Sequence, residues 1–342
     1  MEGVKVLNKK IDIVIPWVDG SDITWQKELR KTVENIQTER QSLSNIRYES
    51  WDNIPFLFRA IEKCLPWINK IVFVTCGHVP DSVNFNNPKL LHVKHSDYLP
   101  SEYLPTFNSN TIEMNLHRIN ELSENFILFN DDTFPLQYIP EEYYFRNDLV
   151  CDEAVENIIT TATFGPVANM ARYTQVNNMF IINKYFKKRE VQAKHPEQWF
   201  NEDYGDRMER TESLKYWNDF PGFYDPHLPN ALKKSTLSKI WKLEGDILDK
   251  ASRNRFRSYS DVTQYLIRYW QLCEGNFYPR RTKGKVFFVD KTNYIQVANS
   301  IRNKEYQMVC FNENCTPEEF EFIRNEINSA LEELFPEKSS FE

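Results

Sequence analysis

Three short stretches carry residue types able to do chemistry together. Residues 126–134, FILFNDDTF, run four apolar residues into Asn130, Asp131 and Asp132. Such a run predicts a strand buried on both faces, as in a parallel sheet, and ligands collect at the carboxyl ends of strands of that kind. Adjacent carboxylates there are costly unless positive charge lies near them. A hard divalent cation supplies it, because it takes oxygen ligands and shares them with substrate phosphates. An Asx-turn capping the next element is the plainer use of the same residues. His227 sits in residues 224–229 between Pro226 and Pro229, a stiff, non-helical tract. An imidazole there serves as general base, metal ligand or satisfied structural group; taken alone it reads as structural. Arg253, Arg255 and Arg257 form the densest basic cluster. Guanidinium groups grip phosphate oxygens in two-pronged fashion, while a solvated basic turn accounts for at least two of the three.

The elements that must position these groups follow from periodicity and punctuation. Residues 11–18 read as the first strand, ending in Trp17-Val18-Asp19-Gly20-Ser21-Asp22. Gly20 permits a turn there. Asp19, Ser21 and Asp22 offer oxygens at its carboxyl end, or cap a helix over about 25–39 that starts at Asp22 or Thr24. A second helix spans 52–64 with Ile54, Leu57, Phe58 and Ile61 on one face. Strands follow at 70–76 and 90–94. The polar segment 104–110 leads into a helix over 111–118 with Ser109 or Asn110 as N-cap; a helix N-terminus suits a phosphate as readily as a plain cap. Residues 135–225 mix strands and helices, with an apolar run at 179–182 and no assigned topology. Helices at 235–251 and 261–273 and strands at 285–289 and 308–311 come next, the last ending in Asn312-Glu313-Asn314. The final helix opens with Thr316 as N-cap, Pro317 in first position and Glu319 completing a capping box; Phe320, Ile323, Ile327, Leu331 and Leu334 give it one apolar face. Strand–helix alternation with polar residues at strand exits predicts an α/β fold, read as a single catalytic domain with insertions.

Composition narrows the function. The 342 residues carry a formal charge of −7, which argues against general nucleic-acid binding. Only nine glycines are present, and neither a P-loop nor a dinucleotide fingerprint occurs. The six cysteines show no CxxC spacing; Cys310 and Cys315, five apart, are a weak zinc pattern, and free thiols in a reducing cytosol are the expectation. No stretch approaches the roughly 20 apolar residues of a membrane helix, and the N-terminus does not read as a secretory signal. Arg207, Arg210, Arg280, Arg281 and Lys283 read as solvated faces, with peripheral contact to a membrane as the alternative.

Taken together, the motifs resemble the Stealth family of sugar-phosphate transferases. The likeness rests on IDIVIPWVDGSDITW (11–25), on RAIEKCLPWINKIVFVTCGHVP and LPTFNSNTIEMNLHRINELSENFILFNDDTF within residues 47–134, on PHLPNALKKS (226–235) and RFRSYSDVTQYLIRYW (255–270), and on MVCFNENCTPEEF (308–320). The family includes bacterial capsule polymerases and the animal N-acetylglucosamine-1-phosphotransferase. The resemblance implies a Rossmann-like nucleotide-sugar-binding sheet flanked by helices, formed by residues 11–134, with a variable insertion over 135–225 and the rest of the catalytic part over 226–335. It implies transfer of a sugar 1-phosphate from a nucleotide sugar, UDP-linked and exemplified by UDP-GlcNAc, to a glycan acceptor hydroxyl, with release of nucleoside monophosphate, in capsule or exopolysaccharide synthesis on the cytoplasmic side. It implies a divalent cation, Mg²⁺ or alternatively Mn²⁺, held by Asp131, Asp132 and Glu313. His227, Arg257 and Asp131 are then catalytic, and Trp17, Asp19, Gly20, Ser21, Asp22, Thr75, Asn108, Ser109, Asn130, Asp261 and Asn312 bind substrate. Three positions depart from the family pattern: Cys76 stands where a TNG turn has asparagine, Pro55 replaces a basic residue, and Glu313 replaces aspartate. A metal-dependent glycosyltransferase releasing nucleoside diphosphate, and a non-catalytic sugar-nucleotide-binding subunit, are the rival readings.

Overall fold

The apolar runs of the first third of the chain form the middle of a five-stranded sheet in a computed structural model that describes residues 9–35, 51–160 and 166–342. β1 (Ile11–Pro16), β2 (Lys70–Thr75), β3 (Leu90–Lys94), β4 (Asn125–Leu128) and β8 (Asn230–Lys233) lie in the order β3-β2-β1-β4-β8. The first four are parallel to their neighbours; β8 runs antiparallel to β4. Ile13 of β1 faces Ile71 on one side and Ile127 on the other, and all three are fully buried. Each such side chain contributes roughly 1.5–3 kcal/mol by leaving water. Asp12 breaks the apolar run of β1 yet is itself buried. Its carboxylate accepts from the Asn69 amide (2.6 Å) and the Ser123 N–H (2.8 Å), with Lys70 Nζ at 3.6 Å, and so ties together the loops entering β2 and β4.

The chain lays β2 and β3 on one side of β1 and returns to place β4 on the other. Strand order therefore reverses at β1, and in open sheets of this kind ligands bind beyond the carboxyl ends of the strands at such a point, here those of β1 and β4. α1 (Ile23–Asn35) follows β1; Asp22 Oδ1 accepts the Trp25 N–H at 2.7 Å and caps it. The part of this helix expected beyond residue 35 lies outside the described residues. α2 (Ile54–Cys64) buries Ile54, Leu57, Phe58, Ala60, Ile61 and Cys64. The short α3 (His95–Tyr98) continues from β3. α4 (Ser109–Met114) is capped by Asn108, one position before the expected residues, and stops at Asn115 instead of running to 118. There the Asn115 amide turns back onto the Thr111 carbonyl (2.8 Å) and Ser252 Oγ (3.1 Å).

Two small sheets complete the frame. β5 (Thr133–Pro135) leaves directly from the Asn130–Asp132 turn and pairs antiparallel with β11 (Met308–Glu313). β11 in turn pairs parallel with β10 (Lys285–Val289) through the crossover helix α11 (Tyr294–Arg302). The second small sheet has the order β6-β7-β9, from β6 (Phe145–Arg146), β7 (Leu149–Asp152) and β9 (Phe277–Pro279). Within 135–225 the apolar run at 179–182 belongs to α5 (Pro166–Tyr185), followed by α6 (Lys188–Lys194), α7 (Pro196–Trp199) and α8 (Met208–Ser213). α9 (Lys234–Ser252) matches its expected span to within a residue at each end. α10 (Tyr265–Cys273) starts four residues late, because Asp261 is engaged in the preceding turn. α12 (Pro317–Leu334) begins with the expected capping box and buries its expected face. The six cysteines are free thiols. Two basic residues expected on solvated faces are not simply solvated. Arg280 is buried with its guanidinium 4.0 Å from the Tyr143 ring centroid, and Arg207 pairs with the buried Glu153 at 2.7 Å.

Candidate active site

Sheet register brings the acidic turn and the histidine together. Asn230 of β8 pairs with Leu128 of β4. Continuing that antiparallel count, His227 falls level with Asp131, just past the carboxyl end of β4. The Leu228 N–H donates to the Pro226 carbonyl at 2.8 Å, which makes a γ-turn with His227 at its tip. Asn130 Nδ2 donates to His227 Nε2 at 3.2 Å, so that nitrogen carries a lone pair and the ring proton sits on Nδ1. Asp132 Oδ2 lies 4.0 Å from the same nitrogen. The imidazole is 44% exposed, open to a hydroxyl arriving from solvent. The crowding of the surrounding chain still lowers its pKa below the usual value, against the pull of Glu313, and keeps it neutral.

The γ-turn is held from below by a buried charge network. Arg268 of α10 is fully buried; its guanidinium binds Asp152 through two bonds (2.8 and 3.0 Å), Asp225 at 3.1 Å and the Tyr224 and Glu153 carbonyls. Tyr269 donates to the other oxygen of Asp225. Residues 224 and 225 are thereby fixed, two positions before the histidine.

Asp131 and Asp132 are both pushed well above the usual carboxylate range. Burial is the largest cause in each, joined by the charge of Asp132 on Asp131 and of Glu313 on both. Among the described residues, the charges that act on them most are thus other carboxylates, the arrangement expected of a cation site. β11 supplies the third acid. Cys310 pairs with Thr133 and the Phe311 N–H donates to the Asp132 carbonyl (3.0 Å), so the strand ends at Glu313 beside the turn. The Asn312 amide reaches the Cys310 sulfur at 3.8 Å. A carboxylate oxygen of Asp132, a ring nitrogen of His227 and Sγ of Cys310 all lie within 4.8 Å of one another.

A second group gathers at the start of α4. Arg257 Nη2 donates to Ser109 Oγ at 2.7 Å. Ser109 also bonds Glu113 one helical turn on, whose carboxyl burial pushes up to about 8. Asn108 and Asp261 stand behind this pair, both buried. Asp261 accepts from the amides of Asn108 (2.8 Å), Asn110 (3.0 Å) and Asn254 (2.7 Å) and from the Ser258 N–H (2.9 Å). In this geometry the two residues knit the loops that present Ser109 and Arg257. The other two arginines are otherwise engaged: Arg253 with Asp249 (2.8 Å), Arg255 with the Pro105 carbonyl (3.1 Å).

A third group lines the end of β1. Trp17 stacks on Phe73 (5.6 Å) and meets the edge of His78 (5.3 Å). His78 Nε2 accepts the Asp19 N–H at 2.8 Å, and its Nδ1 lies 3.3 Å from Cys76 Sγ. Asp19 Oδ1 is taken up by Ser21 through its N–H (2.8 Å) and Oγ (2.6 Å). The Gly20 carbonyl accepts from Gln26 Nε2 (2.8 Å). Thr75 is buried, with its hydroxyl on His92 Nε2 (2.9 Å) and the Gly77 N–H (3.0 Å). The aromatic cluster of Trp25, Phe107 and Phe256, with Val18 and Cys76 packed against it, joins this group to the Ser109–Arg257 loops. Tyr265 approaches the histidine turn from α10, its phenol donating to the Pro226 carbonyl at 3.4 Å.

The match to known proteins extends over nearly the whole chain. Residues 9–37 match the family model for Stealth protein CR1, conserved region 1, and residues 47–152 that for Stealth protein CR2, conserved region 2. The chain is 37% identical over 334 residues to the capsular polysaccharide phosphotransferase WcwK of Streptococcus pneumoniae, covering 98% of each. The chain belongs to the Stealth family. Two further relatives are the exopolysaccharide phosphotransferase cps2G of Lactiplantibacillus plantarum (35% identity, 97% of this chain, 96% of the relative) and the receptor polysaccharide phosphotransferase WefC of Streptococcus oralis (33%, 97% and 99%). The enzyme class follows: a sugar-phosphate transferase. The first Stealth region spans β1, its loop and α1; the second runs from before α2 to the end of β7 and holds Ser109, Glu113 and the acidic turn. His227, Arg257 and β11 lie beyond these two matched regions but within the full-length alignments. Among the described residues, no helix is long and apolar enough to cross a membrane.

Three residues of this site, Glu113, His78 and Arg268, carried no weight in the sequence reading, and Cys310 entered it only through a weak zinc spacing with Cys315. Cys310 had a signal, since it is two residues from Asn312 in a strand and therefore on the same face. Glu113 had one too, at helical i+4 spacing from Ser109. Arg268 had none, because its partners are distant in sequence, and the partner that places His78 at the β1 loop, Asp19, is 59 residues away.

Proposed function

We propose that the chain transfers a sugar 1-phosphate from a nucleotide sugar, UDP-linked and with UDP-GlcNAc as the first candidate, to a hydroxyl of a glycan acceptor in capsule or exopolysaccharide synthesis. The observation that carries this reading is a neutral, accessible imidazole held by Asn130 beside the acidic turn, at the point where strand order reverses. His227 Nε2 takes the proton of the acceptor hydroxyl, whose oxygen attacks the phosphorus nearer the sugar. A new P–O bond forms, the bond to the nucleotide's phosphate breaks, and nucleoside monophosphate leaves. Arg257, aimed by Ser109, steadies the oxygens of that phosphorus. Trp17, Asp19, Ser21 and the adjoining His78 place the donor. Asp131 and Asp132, with Glu313, fit a hard divalent cation, because their oxygens crowd one another. Mg²⁺ there, or Mn²⁺, would neutralise the donor's diphosphate. Most of the acceleration comes from placement and electrostatics. The protein works on the cytoplasmic side, with peripheral contact to the membrane or capsule assembly machinery.

Incubation with Mg²⁺, a panel of nucleotide sugars and candidate glycan acceptors tests this. Acceptor-dependent nucleoside monophosphate and a phosphodiester in the glycan are expected, and His227→Ala is expected to lose turnover while keeping donor binding. Release of nucleoside diphosphate would make the enzyme a glycosyltransferase and remove the role given to Arg257.

A further inference from the structure

We propose that Asp132, His227 and Cys310 form a binding site for a zinc-class divalent ion, distinct in chemistry from the oxygen-ligand site on the acidic turn. The three donors come from three separate segments: the turn after β4, the γ-turn before β8, and β11. Their ligand atoms lie within 4.8 Å of one another. Metal–sulfur and metal–nitrogen bonds of about 2.3 and 2.0 Å place tetrahedral donors roughly 3.3–3.6 Å apart. The His227 nitrogen and Asp132 oxygen stand at 4.0 Å, so a small side-chain rotation closes the set around an ion.

The donor types decide which ion. A thiol and an imidazole favour zinc and its neighbours in the transition series, whereas Mg²⁺ demands oxygen. Asn312 approaches the sulfur at 3.8 Å, the outer-layer support that metal ligands need. The Asn130 amide, which donates to His227 Nε2 at 3.2 Å, turns aside when the ion takes that lone pair. Three protein donors leave a fourth position open, and the exposed imidazole gives the ion a way in from solvent. A bound zinc occupies the Nε2 lone pair and one carboxylate of the acidic pair together. If the proposed function holds, zinc therefore switches the enzyme off by capping its base.

Cobalt reports the site without reference to turnover. Co²⁺ titrated into the full chain in the absence of Mg²⁺ should give a near-ultraviolet thiolate-to-cobalt band that saturates at one ion per chain. Zn²⁺ should abolish it, and excess Mg²⁺ should not. Cys310→Ser should remove the band. Cys76→Ser, which takes away the other thiol beside an imidazole (3.3 Å), should leave it. His227→Gln, at an exposed position on the turn, should weaken Co²⁺ binding by more than about tenfold, the loss that even outer partners of a metal produce. No band in the wild-type protein, a band lost with Cys76 instead of Cys310, or unchanged affinity in His227→Gln would each overturn the proposal. A different reaction product would leave these spectra unaffected.

Discussion

Each carboxylate of the acidic turn carries a folding penalty that a bound cation would relieve. Asp131 and Asp132 are held above their unfolded pKa values by burial, by each other and by Glu313. A raised folded pKa gives stability that is full below the unfolded value near pH 4 and is lost as pH rises through the folded value. At neutral pH without a divalent cation the pair therefore opposes folding. Asp131→Asn should stabilise the cation-free protein by about 1–2 kcal/mol and raise its melting temperature by a few degrees, while removing most of the stabilisation that added Mg²⁺ gives the wild type. Thermal melts with and without Mg²⁺ check both halves; a variant no more stable than the wild type would show that the charges are already balanced. The acidic pair was legible in sequence because two adjacent carboxylates after an apolar run are a local pattern. Cys310 and Glu113 were not read, since strand and helix faces only acquire meaning once Thr133 and Ser109 are known to be their neighbours.

At the scale of elements, the histidine owes its position to α10. Arg268 reaches from that helix into the base of the γ-turn, and its two bonds to Asp152 compensate a guanidinium fully removed from water. Breaking such a pair leaves a charge buried without its counterpart, at roughly 3–5 kcal/mol. Asp152→Asn should lower stability by about that amount in urea denaturation. In the fraction that stays folded, turnover should fall more than donor affinity, because the tract presenting His227 loosens while the β1 loop is untouched. Equal losses in both would mean that the network supports the fold and not the turn. The strands and long helices were legible because their patterns are periodic: β3, β10 and the capped start of α12 fall where the residues place them. The ends of α4 and α10 were not. Asn108 and Asp261 are drawn out of the helices by partners more than 140 residues away in sequence.

At the scale of the whole molecule, the acidic turn, His227 and Glu313 come from both halves of the chain, and the β4–β8 and β5–β11 pairings unite them. The coupled acids predict the enzyme's response to medium. Cation ligands must be deprotonated, so the Mg²⁺ concentration for half-maximal activity should fall as pH rises through the neutral range and then level off. Activity measured over a Mg²⁺ series at several pH values reads this directly, and a pH-independent requirement would place the cation away from the acidic turn. The topology of 135–225 was the least legible part, because its β6-β7-β9 sheet takes its third strand from beyond residue 275.

The late arrival of β11 has a consequence for synthesis. β5 leaves the acidic turn with one edge waiting for a strand that the ribosome adds about 175 residues later, at a rate of roughly 5–20 residues per second. For about ten seconds or more, the nascent chain displays an open strand edge beside a turn whose carboxylates repel each other. The Glu313 carboxylate and the strand that shields that edge arrive in the same six residues. On the proposed reading, a chain that has covered this edge has also completed its acidic cluster.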